Sequence, residues 1–557
     1  MAAAEVSLWS RRGVGSFAAF AAVVAVLFGS CASRLRRADV LEVDVCVYGA
    51  TSAGIIAAVQ AQRLHRSVVL VDCDAWIGGM TTAGLGATDV GADAAIGGLT
   101  REFYRGLRRH YDDAASWTRE PRDKFSGRGQ EKGRDVAFTF EPRVASAEFA
   151  RMLAQAGLEP IVDRIDRSPV GTTKSGARLE EITTEKGRRI RARVFLDCSY
   201  EGDLMAAAGC GSVVGREANA TYGETLNGVA VWQAEKHQFA QRVDPYVRPT
   251  DPASGLLPGI DASEDEPDGT QDRRVQAYCY RLCATDDPQN RAAWPKPAAY
   301  DERAFELLLR WFDAGNTMAP WHPVPMPNRK TDSNNNGAFS TDAIGLNWGY
   351  PEASYAERDR IVAAHRDYQQ GLMWTLANHP RVPFSVRSEF QRYGLAKDEF
   401  VATQNWPPLV YVREARRLLG EVVVTESHCT GARVEPDPVG LGAYAMDSHN
   451  VRRHVVNGAV RNEGDVQVRV RKPYGIPYRA LLPRRADCNN LLVPVCVSAS
   501  HIAFGSIRME PVFMVLAQSA MIAADIAIER NLPVQDVPYP ELSQRLRAAH
   551  QVLEAPR

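Results

Sequence analysis

The chain has 557 residues, 45% hydrophobic and 24% charged, with a formal net charge of −1. This is a globular composition, long enough for two or three domain-sized cores, and its near-neutral balance excludes any general attraction to nucleic acid or acidic membranes. Ten cysteines without a C-x-x-C pair or a Cys/His cluster offer no metal site and no paired dithiol centre, so small-molecule chemistry is the expected class.

Residues 1–32 read as an export signal. Ser10-Arg11-Arg12 precedes an uncharged run from Gly13 to Ser30, and Ser30 and Ala32 stand in an A-x-A-like arrangement. The arginine pair suits the route that moves folded, cofactor-loaded proteins. The same run, backed by Arg34, Arg36 and Arg37, also has the length of a single membrane anchor. The expected location is exported, periplasmic or secreted, with membrane contact only through this segment if it stays uncleaved.

From Asp44 to Gly79 the chain reads strand, turn, helix, strand. VDVCVY is apolar on both faces, as a strand inside a parallel sheet must be. The turn Gly49-Ala50-Thr51-Ser52-Ala53-Gly54 fits G-x-G-x-x-G except that Thr51 replaces the second glycine. Gly49 permits the tight turn, Gly54 lets helix and strand pack, and the helix start through Ser52 and Ala53 offers N–H groups to a pyrophosphate. SVVLV ends in Asp72, 23 positions after Gly49, where such folds place the carboxylate for the adenosine ribose. The glycine pair Gly78-Gly79, followed by Met80, favours FAD over NAD.

Beyond this unit, IGGMTTAGLGATDVG, FEPRVA (140–145), FLDCSYEGDLMAAAG (195–209), YRLCAT (280–285), NNNGAFSTDAIGLN (334–347), YVREARRLLG (411–420), YAMDSHN (444–450) and SASHIAFGSIRMEPVFMVLAQSA (498–520) follow in order. With these blocks the chain resembles the FAD-dependent oxidoreductases that have a glutathione-reductase-like flavin domain, some of them labelled xanthan lyases, from about residue 44 to 531. The resemblance implies FAD as cofactor, an isoalloxazine near residues 82–98, adenine against the backbone of Val162, and a second flavin contact at the late apolar helix. Arg143 departs from the pattern, which more often has His there.

The expected fold is α/β: a Rossmann-like FAD-binding domain with a β-meander insertion, plus a mixed, largely helical substrate domain. The meander falls in 172–197, where charged and apolar residues alternate around Gly176 and Gly187. The domain limits are 44–228 and 471–531 for the FAD domain, 229–470 for the substrate side, and 532–557 for a C-terminal tail. Helices are expected over 99–111, 146–157, 301–314, 355–377 and 409–420. Asp197, Glu201 and Asp203 cluster at one turn, where cofactor contact and helix capping are equal alternatives. The blocks 330–336 and 340–342 are dense in amides and hydroxyls, fitting either a polyhydroxylated ligand or a surface loop. Pro511 opens a helix that is apolar nearly all round and therefore buried, with its N-terminus toward the flavin pyrimidine edge.

Gly505, Arg508 and Glu510 are accordingly read as cofactor-binding, with Arg508 and Glu510 at the flavin edge. The catalytic candidates are His501, Arg413 and His449, with Arg281 and Tyr478 beside them: histidines that titrate near neutrality and arginines that hold a carboxylate or polarise a carbonyl. The expected function is oxidation, or reduction, of a small polar molecule by hydride transfer at flavin N5, with an unidentified electron acceptor, oxygen among the candidates. The alternatives are a non-redox, polysaccharide-lyase-like enzyme and a binding protein that keeps the flavin scaffold.

Overall fold

The computed structural model describes residues 40–555 except 126, 128, 129, 132 and 265. The segment 1–32 read as an export signal therefore lies outside the described residues. At its centre β1 (Val40–Tyr48) pairs in parallel with β2 (Val68–Asp72) and β6 (Arg189–Asp197). Val45 to Tyr48 are 1% exposed or less, as a strand covered on both faces requires. The sheet continues through β3 (Ile161–Val162), β4 (Thr172–Ser175) and β5 (Arg178–Thr183) in the order β3-β2-β1-β6-β5-β4, and β12 (Leu491–Leu492) pairs with β6. The expected meander is present. Its third strand is β6 itself, antiparallel to β5 at Arg189–Arg191 and parallel to β1 along its length.

Helices α1 (Ser52–Arg63), α2 (Gly98–Asp112), α3 (Pro142–Gln155) and α9 (Glu510–Arg530) join one core with this sheet. Helix α9 is long and apolar enough to cross a membrane, yet that span is wholly buried. Ala53, Ala57, Ala58 and Ala61 of α1 and Ala517, Ala520 and Ala524 of α9 are all buried. Small residues on both partners let the two backbones approach closely, and Gln518 donates to Gln60 across the contact at 2.8 Å.

A second core gathers Trp294, Trp311, Trp321, Phe305, Phe390 and Trp406. Around it lie α5 (Glu306–Asp313), α6 (Tyr355–Asn378), α7 (Phe384–Arg392) and a five-stranded antiparallel sheet. Its strands are β7 (Cys283–Thr285), β8 (Arg291–Ala292), β9 (Trp321–Met326), β10 (Lys330–Asn335) and β11 (Gly394–Ala396), ordered β9-β10-β7-β11-β8. The unit is mixed, and the polar block 330–336 contributes an inner strand rather than a loop. Lys330 tolerates that position because Glu141, Glu399 and Asp398 meet its ammonium at 2.8, 2.6 and 2.9 Å. Arg143 adds a second cation to Glu141 at 2.9 Å.

The helix expected over 409–420 does not form. The segment is extended, Tyr411 N donates to Cys279 O, and Arg417–Leu418 pairs with Ser212–Val213. Extended backbone sends successive side chains to opposite sides. Arg413 reaches Asp342, Glu414 reaches His501, Arg416 reaches Asp203 and Arg417 reaches Glu217, destinations that one helical face cannot serve. After residue 424 the chain is already back on the first core: Val424, Val439 and Met446 belong to it. The segment read as a C-terminal tail carries α10 (Tyr539–Ala548), which buries Leu542 and Leu546 there.

Candidate active site

The turn after β1 is shaped by close backbone approach. Gly49 has φ +96°, and a Cβ there would lie 2.6 Å from Ser199 N; a Cβ on Gly54 would lie 1.8 Å from Gly49 O. Thr51 needs no glycine because its φ is −63° and its backbone is extended. Its hydroxyl accepts from Gly54 N at 3.3 Å and donates to Cys198 O at 2.8 Å, so the side chain caps α1 and ties the turn to the end of β6. Ser52 and Ala53 form the first buried turn of α1, whose N–H groups have no intrahelical partner.

Beside this turn lies a cavity of about 280 Å³ at the C-terminal ends of the parallel strands, lined by Gly49, Thr51, Asp72, Gly79, Ser199 and Tyr200 among others. Ligands in open α/β sheets bind there. Burial, then neighbouring Asp74, push the Asp72 carboxyl up to about 8. A carboxylate left in that condition is matched by hydroxyl donors such as those of a ribose, and the turn is matched to a pyrophosphate. The residues present fit the adenosine diphosphate half of FAD. Val162 faces Asp72 across the strand pair but is 41% exposed, and its carbonyl accepts from Lys186 at 2.6 Å. Arg164, two residues on, is the one that lines the cavity.

Gly78 and Gly79 are both left-handed, with φ +100° and +57°. The chain needs that freedom because a Cβ on Gly79 would lie 2.2 Å from the Tyr200 hydroxyl. That hydroxyl accepts from Met80 N at 3.0 Å and donates to Glu510 at 2.6 Å. Glu510 also accepts from Ser52 at 2.5 Å and Thr81 at 2.8 Å. One buried carboxylate thus joins the starts of α1 and α9 to the glycine-pair loop. Burial raises its pKa and the three hydroxyls oppose the shift. Glu510 is spent on protein partners, so its part is to position the loops around the cofactor.

Past this junction, Met80, Ala83 and Leu85 pack with Cys279 and Tyr411 of the second unit. A buried polar chain starts at Tyr411. Arg508, which caps α8 (His501–Ile507), donates to the Tyr411 hydroxyl at 3.2 Å and to Asp447 at 3.1 Å. His449 Nε2 lies 3.6 Å from Asp447, and its Nδ1 pairs with Asp342 at 2.8 Å. Arg413 closes the row at 2.9 Å from Asp342, its guanidinium 4.9 Å from the centre of the Tyr411 ring. Burial opposes ionisation of Asp342, but Arg413 and then His449 hold its carboxyl well below the usual range. For His449, burial and Arg413 pull the pKa down, Asp342 and Asp447 pull it up, and the carboxylates win.

The structure therefore brings together Arg413, His449 and Arg508. His501 stands one step back, with Nδ1 on Glu414 at 2.8 Å and Nε2 on Ser448 at 3.0 Å, so both ring nitrogens are engaged. Gln276 links it to the row by donating to Glu414 at 3.1 Å and accepting from His449 N at 3.1 Å. A Cβ on Gly505 would lie 2.7 Å from Asp447 O, so this glycine seats α8 on the strand Met446–Ser448. Arg281 is held by Asp332 in two bonds of 2.7 Å, and the Tyr478 hydroxyl donates to Val534 O. Tyr200, Tyr411 and Asp447 were not among the sequence candidates, and Asp342 entered only as part of the polar block 340–342. Asp447 stands two residues before His449, and Tyr200 follows the strand-end Asp197, spacings that mark both only once the strands are placed.

A family model described as FAD dependent oxidoreductase matches residues 44–546. No curated protein matches the chain. Among solved structures, a flavin-containing monooxygenase from Stenotrophomonas maltophilia is 17% identical over 28% of this chain and 38% of that one, with a TM-score of 0.18. A 3-ketosteroid-Δ4-(5α)-dehydrogenase from Rhodococcus jostii is 16% identical over 32% and 50%, with a TM-score of 0.19. The anhydrotetracycline hydroxylase OxyS from Streptomyces rimosus is 13% identical over 39% and 40%, with a TM-score of 0.20. The chain spans half or less of each of these proteins.

Proposed function

Because the chain belongs to the family of FAD-dependent oxidoreductases, we propose that it oxidises a small polar substrate by hydride transfer at flavin N5, with His449 as the proton acceptor. Bound FAD supplies the two-electron acceptor. The chain's own residues then have to orient the substrate and take the proton that leaves with the hydride. The observation that carries this reading is the row Arg413–Asp342–His449–Asp447–Arg508, which begins at the Tyr411 contact with the glycine-pair loop.

Asp342 fixes the tautomer of His449 by pairing with Nδ1 and leaves Nε2 to accept. Among the described residues, Arg508 Nε and Asp447 Oδ1 make no hydrogen bond, which offers a substrate hydroxyl or carbonyl one donor and one acceptor. Both arginines in the row are already neutralised by aspartates, which favours a neutral, hydroxylated substrate over a carboxylate. No observation favours the lyase-like or binding-protein alternatives. Reoxidation by oxygen or another acceptor, and export directed by residues 1–32, complete the proposal. Intact mass of the secreted fraction tests the export step.

The test of turnover is an anaerobic screen of neutral polyols, alcohols and carboxylates for bleaching of the flavin absorbance. Bleaching by a hydroxylated compound, lost in His449→Gln with the flavin still bound, is the expected result. Bleaching by carboxylates alone, or full bleaching in the variant, overturns it.

A further inference from the structure

The cavity at the strand ends has a wall that the FAD domain does not supply. Tyr355, Arg358 and Val362, on successive turns of α6 in the second unit, line it opposite Gly49, Thr51 and Asp72. Helix α6 starts at this place for a local reason: Ser354 and Glu357 form a capping box that fixes its first turn.

That turn is then tied to the FAD domain by several independent bonds. Arg358, 5% exposed, pairs with Asp203 at the start of α4 (Asp203–Ala207) at 2.6 and 2.9 Å, and also donates to Tyr350 O and Pro351 O. Arg167 donates to Ala353 O at 2.7 Å. The Tyr355 hydroxyl donates to Ile165 O at 3.1 Å, and the Arg164 guanidinium lies 4.3 Å from the centre of its ring. Arg167 and Arg358 place guanidinium groups 5.2 and 5.8 Å from the same ring centre, so an aromatic ring pinned at its tip and flanked by cations lines the cavity that Asp72 also lines.

We infer that α6 is part of the cofactor site: Tyr355 and Arg164 form the platform for the adenine, and the Arg358–Asp203 pair latches that platform over the adenosine end of FAD. Base–aromatic stacking supplies the affinity, with Arg164 adding its planar cation. FAD held this way leaves only when α6 lifts from the first unit. This inference uses the FAD assignment alone and is independent of the role given to His449, so failure of either leaves the other standing.

Release of FAD from the diluted holoprotein, followed by recovery of free flavin fluorescence, tests it. Tyr355→Ala is expected to speed release about tenfold or more, whereas Tyr355→Phe, which keeps the ring, stays within about twofold of the native chain. Unchanged release from the alanine variant, or equal acceleration in both, overturns the platform. Should the alanine variant fail to fold, amide exchange over residues 355–365 of the native chain decides: slower exchange with FAD than without supports the inference, and identical exchange overturns it.

Discussion

At the scale of single residues, His449 is where geometry and acid–base chemistry meet. Its pKa lies above the ordinary value because Asp342 and Asp447 outweigh burial and Arg413, so protonation competes with its role as acceptor more than for a free imidazole. The rate is therefore expected to rise with pH through an apparent pKa above the ordinary histidine value. His449→Gln is expected to lower kcat/KM by about 10²–10⁴ and to abolish that limb. A flat pH profile in the native chain would remove His449 from the proton transfer. Glu510 makes a different prediction. Glu510→Ala strands the Ser52, Thr81 and Tyr200 hydroxyls at about 1 kcal/mol each, so the melting temperature should fall and FAD affinity with it, while Glu510→Gln, which keeps one acceptor oxygen for Ser52 and Thr81 and turns a donor toward Tyr200, costs less than the alanine variant. The turn was legible from sequence because Gly49 and Gly54 answer to backbone contacts. The fate of Glu510 was not, because its partners lie more than 300 residues away in the chain.

At the scale of elements, burial that repeats along the chain could be read directly, and burial reached by crossing between units could not. Strand β1 and helix α9 announce themselves as apolar on every side, and both are central. The segment 409–420 misleads because its charge spacing resembles a helical face, when each charge has a separate buried partner. Strand β10 misleads in the same way: a lysine, an aspartate and two asparagines do not look like an inner strand until Glu141, Glu399 and Asp398 are placed around Lys330. Burial, outweighing Lys330 and joined by Glu141, pushes the Glu399 carboxyl up to about 7. A carboxyl whose folded pKa is raised contributes stability below its unfolded value, and that contribution is lost as pH rises toward 7. Lys330→Met removes the central cation from three carboxylates and is expected to destabilise the fold by about 3–5 kcal/mol at neutral pH. Chemical denaturation at two pH values checks this: the deficit should shrink in acid, where the stranded carboxyls take up protons. A deficit that is equal or larger in acid would show that lost packing, not stranded charge, is what the lysine prevents.

At the scale of the whole molecule, two cores meet along one seam, and both ends of the dinucleotide site lie on it. The adenosine end is walled by α6 and the flavin end by Tyr411 and its polar row, each from the second unit, while the first supplies the glycine turn, Asp72 and the start of α9. Redox chemistry and substrate recognition thus share a boundary that neither unit builds alone. Ligand bound only by the folded state adds stability by mass action, about 2.7 kcal/mol at a hundredfold excess over Kd, so FAD is expected to raise the melting temperature of both units together. The central claim is that the turn at Gly49 and the start of α9 hold FAD, and its most direct measurement is the flavin content of purified protein after heat denaturation, for the native chain and for Gly49→Val. One FAD per native chain and close to none in a folded variant is the predicted result; equal flavin in both, or none in the native chain grown with ample riboflavin, would contradict it.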